Sequence, residues 1–472
     1  MTFIHTMALP LIVSYDGMEY AHLANVLSGP SVVSHWNFYR TPIFPLALNR
    51  AFWLGGEQPK SALLVTSLFG TGGILLVGLI VRKIAGATSG AVALILMVLY
   101  PVLVGYQHML LSETGIFFWI ALLLWSLVCL ASASKHSAIG VPCWIALVIA
   151  LGYYWRPTIL YLAPVAALAF LCILLLSPAS PRPYSDLLTE LRAGRRTITG
   201  ALTIAFGPYL LAYPWMHLTA QRKPDASDDF VAQGIFRQVV VPLDDPLLAT
   251  LRAEYKAAIE HDLVNGRLPL DGVTIGGHTE LLNKIRPLFV HAGVWHLIQK
   301  YPVRYLEGIA KSMIFFLGVP DHRVDDENWN FSHAVFILWP QSDSLDQTIG
   351  WDPKFVQFTP QPYKGGGFVG KMFDRLLHVY TWIVLASCMA SFIWMIVSLK
   401  QADAVGLTLT AIPFALLLLH ALTLQAADRY ALPVYPLMLA NVVIIIRLIW
   451  LAFEEGEVYR SRESNSAAKV VA

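Results

Sequence analysis

The chain reads as an all-α polytopic membrane protein with about ten transmembrane helices, an outer (periplasmic) mixed domain and helices lying on the membrane surface. Three observations predict this. Hydrophobic residues make up 56% of the 472 and charged residues 14%, where soluble chains carry about 25% charged residues; mean hydropathy is +0.58. The apolar runs are long and continuous, as from Leu63 to Val81. A membrane barrel would show short alternating segments instead, and a lipid-exposed backbone must satisfy its own hydrogen bonds, which leaves helices. Basic residues also recur on alternate connections, as chains that cross a membrane repeatedly require.

Taken in order, hydropathy predicts spans at Phe3–Val13, Ala62–Val81, Ala91–Gly105, Leu111–Ala131, Ile139–Trp155, Thr158–Leu176, Thr199–Trp215, Leu377–Leu399, Leu407–Leu424 and Ala431–Phe453. The first is about half the ~20 residues a span needs. Arg82 and Lys83 follow the second span, Lys135 the fourth, Arg182, Arg192, Arg195 and Arg196 the sixth, Lys400 the eighth, and Arg447, Arg460 and Arg462 the last. All fall on one face under this topology, so that face is expected to be cytoplasmic, with both termini on it. The expected home is a bacterial inner membrane.

The organisation that follows is an N-terminal transmembrane module over 1–216 with a functional first outer loop at 14–60, an outer domain over 217–375, C-terminal transmembrane helices over 376–453 and a cytoplasmic tail over 454–472. Within the outer domain, helices are expected at 246–264 and 281–301. The apolar piece Tyr305–Leu317 suits a re-entrant or membrane-surface helix. The aromatic, Gly- and Pro-rich stretch 328–370 reads as a folded loop with turns.

Several classes are excluded. Cys129, Cys143, Cys172 and Cys388 all fall in apolar runs with no CxxC spacing, and read as small core residues. The N-terminus shows no basic region or cleavage site of a removable signal peptide. No phosphate loop, dinucleotide fingerprint or GxSxG occurs, and the spacing of His291 and His296 is wrong for a zinc helix. Gly72-Gly73 lies within a span and reads as a helix-packing site. The net charge of +2 points to no partner, and no nucleic acid is expected.

Function is carried by residues at the outer mouth. Asp16, Tyr20 and Ala24 recur every fourth position, which puts them on one helical face, with Glu19 beside them. Asp16 suits a helix N-cap. It equally suits a general base, since partial desolvation at a membrane mouth would raise its affinity for a proton. Ser112-Glu113 opens the fourth span, where an acid must be paired or wetted; it is either a water-facing cap or a second acid in the same cavity. His108, just before it, could pair with Glu113 or with a phosphate. Arg156, after Tyr153-Tyr154-Trp155 and before Pro157, either snorkels from an aromatic belt or grips phosphate through its guanidinium fork. Asp428-Arg429-Tyr430 precedes the proline-broken start of the last span, as a surface ion pair or a second phosphate contact. Lys284, Arg286, His291, His296 and Arg304 read mostly as solvated faces.

Asp16-x3-Tyr20-x3-Ala24, the following Leu27-Ser28-Gly29, and Arg40-Thr41-Pro42-x-x-Pro45-Leu46 together resemble the first outer loop of the glycosyltransferase C superfamily. The similarity is to its protein-mannosyltransferase and aminoarabinose-transferase branch. Ser112-Glu113, Arg156-Pro157 and Arg429-Tyr430 resemble further hallmarks of it. The resemblance covers the N-terminal spans and the last pair, and no motif of the outer domain. It implies an inverting hexosyl- or pentosyltransferase that moves a sugar from a polyprenyl-phosphate donor to a glycolipid, glycan or protein acceptor at the outer face. It implies Asp16 as catalytic base or metal-site acid, Glu113 as a second acid, Arg40, Arg156 and Arg429 as donor-phosphate ligands, and Glu19, Tyr20, His108 and Tyr430 in support. Some branches carry two adjacent acids; here Gly17 follows Asp16. Paired oxygens from Asp16 and Glu113 would suit a hard divalent cation, though nothing in the sequence requires one. The alternative is a lipid or polysaccharide flippase or transporter, which would be expected to carry charges in mid-span or paired broken helices.

Overall fold

The computed structural model describes residues 11–12, 15–27, 40–100, 110–131, 140–176, 187–222, 298–316, 356–357, 368–423 and 433–471, with residues 103, 107, 108 and 431. The described elements are β1 (Leu11–Ile12), α1 (Tyr15–Val26), α2 (Ile43–Gly55), α3 (Pro59–Ala85), α4 (Ala87–Val98), α5 (Glu113–Ala131), α6 (Gly140–Trp155), a 3-10 turn (Pro157–Leu162), α7 (Ala163–Leu176), α8 (Leu187–Arg222), α9 (Pro302–Phe316), β2 (Val356–Gln357), α10 (Phe368–Gln401), α11 (Ala404–Thr423) and α12 (Tyr435–Val471).

Among the described residues, six stretches are long and apolar enough to cross a membrane: Lys60–Ala85, Glu113–Ala131, Pro157–Leu175, Trp382–Gln401, Ala404–Leu422 and Tyr435–Glu454. The chain is an integral membrane protein. Ten spans were expected, and the differences have local causes. Leu11–Ile12 is extended and pairs in parallel with Val356–Gln357, so the end of the expected first span is strand; the rest of it lies outside the described residues. α4 has 12 residues and α6 has 16, each short of the ~20 needed. Each stops just ahead of a proline (Pro101 and Pro157), which disfavours helical geometry in the residue before it. Thr199–Trp215 lies inside the 36-residue α8, where Gly200, Gly207, Pro208 and Pro214 interrupt the apolar run. The sequence after Glu454 continues as helix to Val471. The helices expected at 246–264 and 281–301 lie outside the described residues, apart from 298–301, of which 298–300 are helical and 301 is a bend.

Helix α3 is the centre of the N-terminal bundle and packs on α2, α4, α5 and α12. Its glycine pair works as the sequence suggests: a Cβ on Gly73 would meet the ring of Phe117, and one on Gly72 the ring of Phe118. At Gly86, φ is +90°, a left-handed setting that favours glycine. The Gly86 N–H donates to Arg82 O at 3.0 Å, and the chain reverses there into α4. Helices α3 and α5 run the same way, since Thr66 donates to Gln107 O at 2.6 Å and Gly73 faces Phe117 further along. Helix α6 returns, joined to α5 by Trp144 Nε1 donating to Ser126 Oγ at 2.9 Å.

The C-terminal helices close the bundle. Tyr380 donates to Leu96 O at 2.8 Å and ties α10 to α4. Asn441 Nδ2 donates to Ser391 Oγ and Leu409 O, both at 3.3 Å, and fastens α10, α11 and α12 through one buried amide. Asp403 Oδ1 accepts the N–H groups of Val405 and Gly406 at 3.1 Å and starts α11. The 15-residue α9 is too short to span and is held against α11 by Tyr305 donating to Leu422 O at 2.8 Å. The bundle thus has two unlike ends. Arg82, Lys83, Arg195 and Lys400 mark one; the first turn of α5 and the last turns of α6 and α11 mark the other.

A Cβ on Gly115 would collide with the Trp155 indole, whereas nothing lies within 4 Å of one on Gly140. Gly115→Ala is therefore expected to lower thermal stability in detergent by about 1–3 kcal/mol, while Gly140→Ala leaves the melting temperature unchanged. Equal melting of the two variants would refute this packing.

Candidate active site

At the end of the bundle away from the basic residues, four segments meet. The first is α1, which carries Asp16 in its first turn and Tyr20 one turn later. It packs against the segment before α5: a Cβ on Gly17 would lie 2.6 Å from Leu110 O. This close approach explains why no second acid follows Asp16, because any side chain there would push α1 off Leu110. The second segment is Arg40-Thr41-Pro42. Thr41 Oγ1 donates to Trp155 O at 2.8 Å, which satisfies one of the carbonyls left open at the end of α6. Phe44, one residue inside α2, packs between Tyr20 at 4.7 Å and Trp155 at 5.0 Å between ring centroids.

The third and fourth segments are the start of α5 and the end of α6. Trp155 Nε1 donates to Ser112 O at 2.8 Å. Arg156 is extended, with φ −155° and ψ 129°, as its place before Pro157 dictates. Its side chain reaches α5, where Nη1 donates to Glu113 Oε1 at 2.8 Å and to Ser112 Oγ at 3.0 Å. Tyr20 donates to the same Ser112 hydroxyl at 3.4 Å. On the other side of Tyr20, Arg40 Nη1 reaches its hydroxyl at 3.5 Å and the guanidinium carbon lies 4.9 Å from the ring centroid. Arg40 Nε donates to Glu19 Oε2 at 2.7 Å. The result is one polar chain in the order Glu19, Arg40, Tyr20, Ser112, Arg156, Glu113: two arginine–carboxylate pairs bridged by two hydroxyls.

The two pairs differ in depth. Glu113 is 1% exposed and Arg156 17%, against 19% for Glu19 and 23% for Arg40. A buried carboxylate is tolerated only with a partner, and removing the partner of a buried pair costs about 3–5 kcal/mol. A pair open to water contributes about 0–1 kcal/mol. Glu113 Oε2 has no hydrogen-bond partner among the described residues. Among the described residues no three His, Cys, Asp or Glu side chains gather as a metal site requires. With Arg156 beside it, Glu113 suits a counter-ion better than a metal ligand, since a divalent cation there would face like charge.

Of the residues expected at the site, Glu19, Tyr20, Arg40, Glu113 and Arg156 come together, and His108 is buried just ahead of Ser112. Asp16 is helical and stands one turn before Tyr20, but its side chain lies outside the described residues, as do Arg429 and Tyr430. Sequence reasoning missed His420 of α11. It is 2% exposed, its Nδ1 lies 2.8 Å from Leu416 O, and it is near enough to Arg156 to feel its charge. The available signal was an ionisable residue within a span.

Arg156→Ala would strand the Glu113 carboxylate, and is expected to destabilise the protein by about 3 kcal/mol. Glu19→Ala should cost under ~1 kcal/mol. Thermal melts in detergent check the contrast, and comparable losses would refute the difference in depth.

No family model matches the chain, and no curated protein matches it. The structure is similar to two solved structures of ArnT from Cupriavidus metallidurans. The first, bound to undecaprenyl phosphate, has 12% sequence identity and a TM-score of 0.38, and the match covers 94% of this chain and 76% of that one. The second, in the apo state, has 12% identity and a TM-score of 0.35, with 93% and 74% covered.

Proposed function

We propose that this chain is a membrane glycosyltransferase that moves a sugar from a polyprenyl-phosphate carrier to a glycolipid, glycan or protein acceptor on the outer face of a bacterial inner membrane. The observation that carries this reading is the polar chain from Glu19 to Glu113. It sets two guanidinium groups at one end of a membrane bundle, the end opposite Arg82, Lys83, Arg195 and Lys400. Basic residues collect on the cytoplasmic side, so the two arginines fall at the outer membrane boundary. There a phosphate headgroup can be met in water while its polyprenyl tail stays in lipid. Planar guanidinium forks suit phosphate oxygens.

The reaction is a single displacement at the anomeric carbon. The acceptor oxygen or nitrogen forms the new bond and gives its proton to the Asp16 carboxylate. The bond from the anomeric carbon to the phosphate oxygen breaks, and its electron pair stays on that oxygen. Negative charge grows on the phosphate as this happens, and positive groups fixed beside it lower the barrier. Arg156 is fixed by Glu113 and Ser112. Arg40 lies nearer the surface, and Arg429 is assigned to the same phosphate by its motif. The buried Glu113 serves mainly to hold Arg156 in place. No step requires a metal.

Mass spectrometry of cell-envelope glycans tests this. Cells expressing the wild-type chain should carry a sugar that is missing without it, and Asp16→Asn should lower its formation by about 10²–10⁴-fold. Wild-type yield from Asp16→Asn would refute the base. Undecaprenyl-phosphate binding without any envelope change would favour a flippase or transporter. Sidedness is checked separately by placing single cysteines at His22 and Lys83 in a cysteine-free chain. A membrane-impermeant maleimide added to intact spheroplasts should label position 22 and spare position 83; the reverse pattern would overturn the orientation.

A further inference from the structure

The two guanidinium groups of the site stand on segments far apart in sequence, and two routes join them. The side-chain route runs from Arg40 Nη1 to the Tyr20 hydroxyl at 3.5 Å, on to Ser112 Oγ at 3.4 Å and from there to Arg156 Nη1 at 3.0 Å. Two of these contacts are at the long limit of a hydrogen bond, so this route is loose. The backbone route is tight. Thr41, the residue after Arg40, donates through Oγ1 to the carbonyl of Trp155, the residue before Arg156, at 2.8 Å and across 114 positions of sequence. Thr41 is 4% exposed and Trp155 1%, so water cannot take over either end of this bond, and a carbonyl left open there would be destabilising. Phe44 packed on the Trp155 ring holds the same two segments together, but apolar contact has no direction and lets them slide. The hydrogen bond fixes their register. It keeps the Cα atoms of Arg40 and Arg156 within ~12 Å of each other, near enough for the two side chains to close on one anion.

We infer that Thr41 is a positioning residue: its bond to the Trp155 carbonyl sets Arg40 at a fixed spacing from Arg156, so that both guanidinium groups meet the same phosphate. This rests on the glycosyltransferase reading above and deepens it. Arg156 is anchored by the buried Glu113, at the end of a helix packed into the bundle. Arg40 is more exposed and lies just ahead of α2. Without a tie to the bundle, its segment would have to be ordered each time a donor bound, and such ordering weakens binding. Thr41 passes the rigidity of the α6 terminus to it. The task needs a hydroxyl, and a β-branched residue suits the extended geometry that Pro42 favours in the residue before it. Two guanidinium groups already at the right spacing need no rearrangement as charge grows on the phosphate oxygen.

The test uses the full-length protein in nanodiscs, titrated with undecaprenyl phosphate by tryptophan fluorescence, with undecaprenol as the uncharged control. The ratio of the two affinities is the preference for phosphate. Thr41→Val keeps the shape of the side chain and loses the hydroxyl; it should lower the preference by about 10-fold, as the loss of one charged hydrogen bond does. Thr41→Ser keeps the hydroxyl and should stay within about 2-fold of wild type. Ser126→Ala removes the bond from Trp144 that joins α5 to α6 nearer the other end of the bundle, and should leave the preference unchanged even where it melts early. Because Thr41 acts through Arg40, adding Thr41→Val to Arg40→Gln should lower the preference no further. An unchanged preference in Thr41→Val overturns the inference. So does a second loss of similar size in the double variant, or a loss in Ser126→Ala equal to that in Thr41→Val, since either makes the bond a matter of general stability. If Thr41→Val does not fold, Thr41→Cys decides: a thiol is a weak donor and should lower the preference by about 3-fold, and no change overturns the role. If wild-type protein binds undecaprenyl phosphate no better than undecaprenol, the phosphate site proposed above fails. If wild type prefers the phosphate and Thr41→Val keeps that preference, the site stands and the role of Thr41 alone is lost.

Discussion

The pair between Arg156 and Glu113 is the constraint around which the end of the bundle is arranged. A carboxylate that is 1% exposed has to be given a cation, and the extended backbone at the end of α6 delivers it. Pro157 forces Arg156 out of the helix. Thr41 takes up the Trp155 carbonyl left behind, and the Trp155 indole donates to the carbonyl of Ser112. Each of these contacts closes a polar group that the sharp end of α6 would otherwise leave open near lipid, where an unsatisfied group costs most. Phe44 and Tyr20 then fill the space against the indole, which fixes α1 and α2.

Much of this arrangement could be read in the sequence, for a physical reason. Charged residues are rare in the apolar runs, so Glu19, Arg40, Glu113 and Arg156 stood out individually, and each needed a partner. What the residues could not reveal was who pairs with whom. Arg156 and Arg40 were expected on phosphate, and each also holds a carboxylate, because partner choice depends on the docking of α1 against α5 and α6. The spans show the same division. Long apolar runs such as Lys60–Ala85 were plain. The lengths of α4 and α6 were not, because their ends are decided by Pro101 and Pro157 and not by hydropathy. His420 escaped notice since one imidazole hardly alters the hydropathy of its run.

The C-terminal helices supply a second kind of rigidity. Asn441 joins three helices through one amide, and Tyr380 and Tyr305 each donate to a helix carbonyl on a neighbour. In lipid, where apolar helices have little reason to prefer one another to the acyl chains, such directional contacts and the glycine-lined seams of α3 set the register of the bundle. Helix α11 matters most here, because it packs on α5, α7 and α9 and carries the buried His420. The rigid half of the site, Arg156 with Glu113, lies against this scaffold. The open half, Arg40 with Glu19, hangs from α1 and the start of α2.

The parallel pairing of Leu11–Ile12 with Val356–Gln357 bears on how the protein is made. The strand that leads into α1 emerges first from the ribosome, and the strand that holds it emerges after α9. At ordinary elongation rates the two are separated by a delay on the order of tens of seconds. During that interval α3 to α8 can insert and pack, but the residues just ahead of Asp16 have no sheet partner. The helix that begins at Tyr15 is thus among the last parts of the N-terminal half to gain its full set of neighbours, because the strand leading into it waits for a partner made more than 340 residues later.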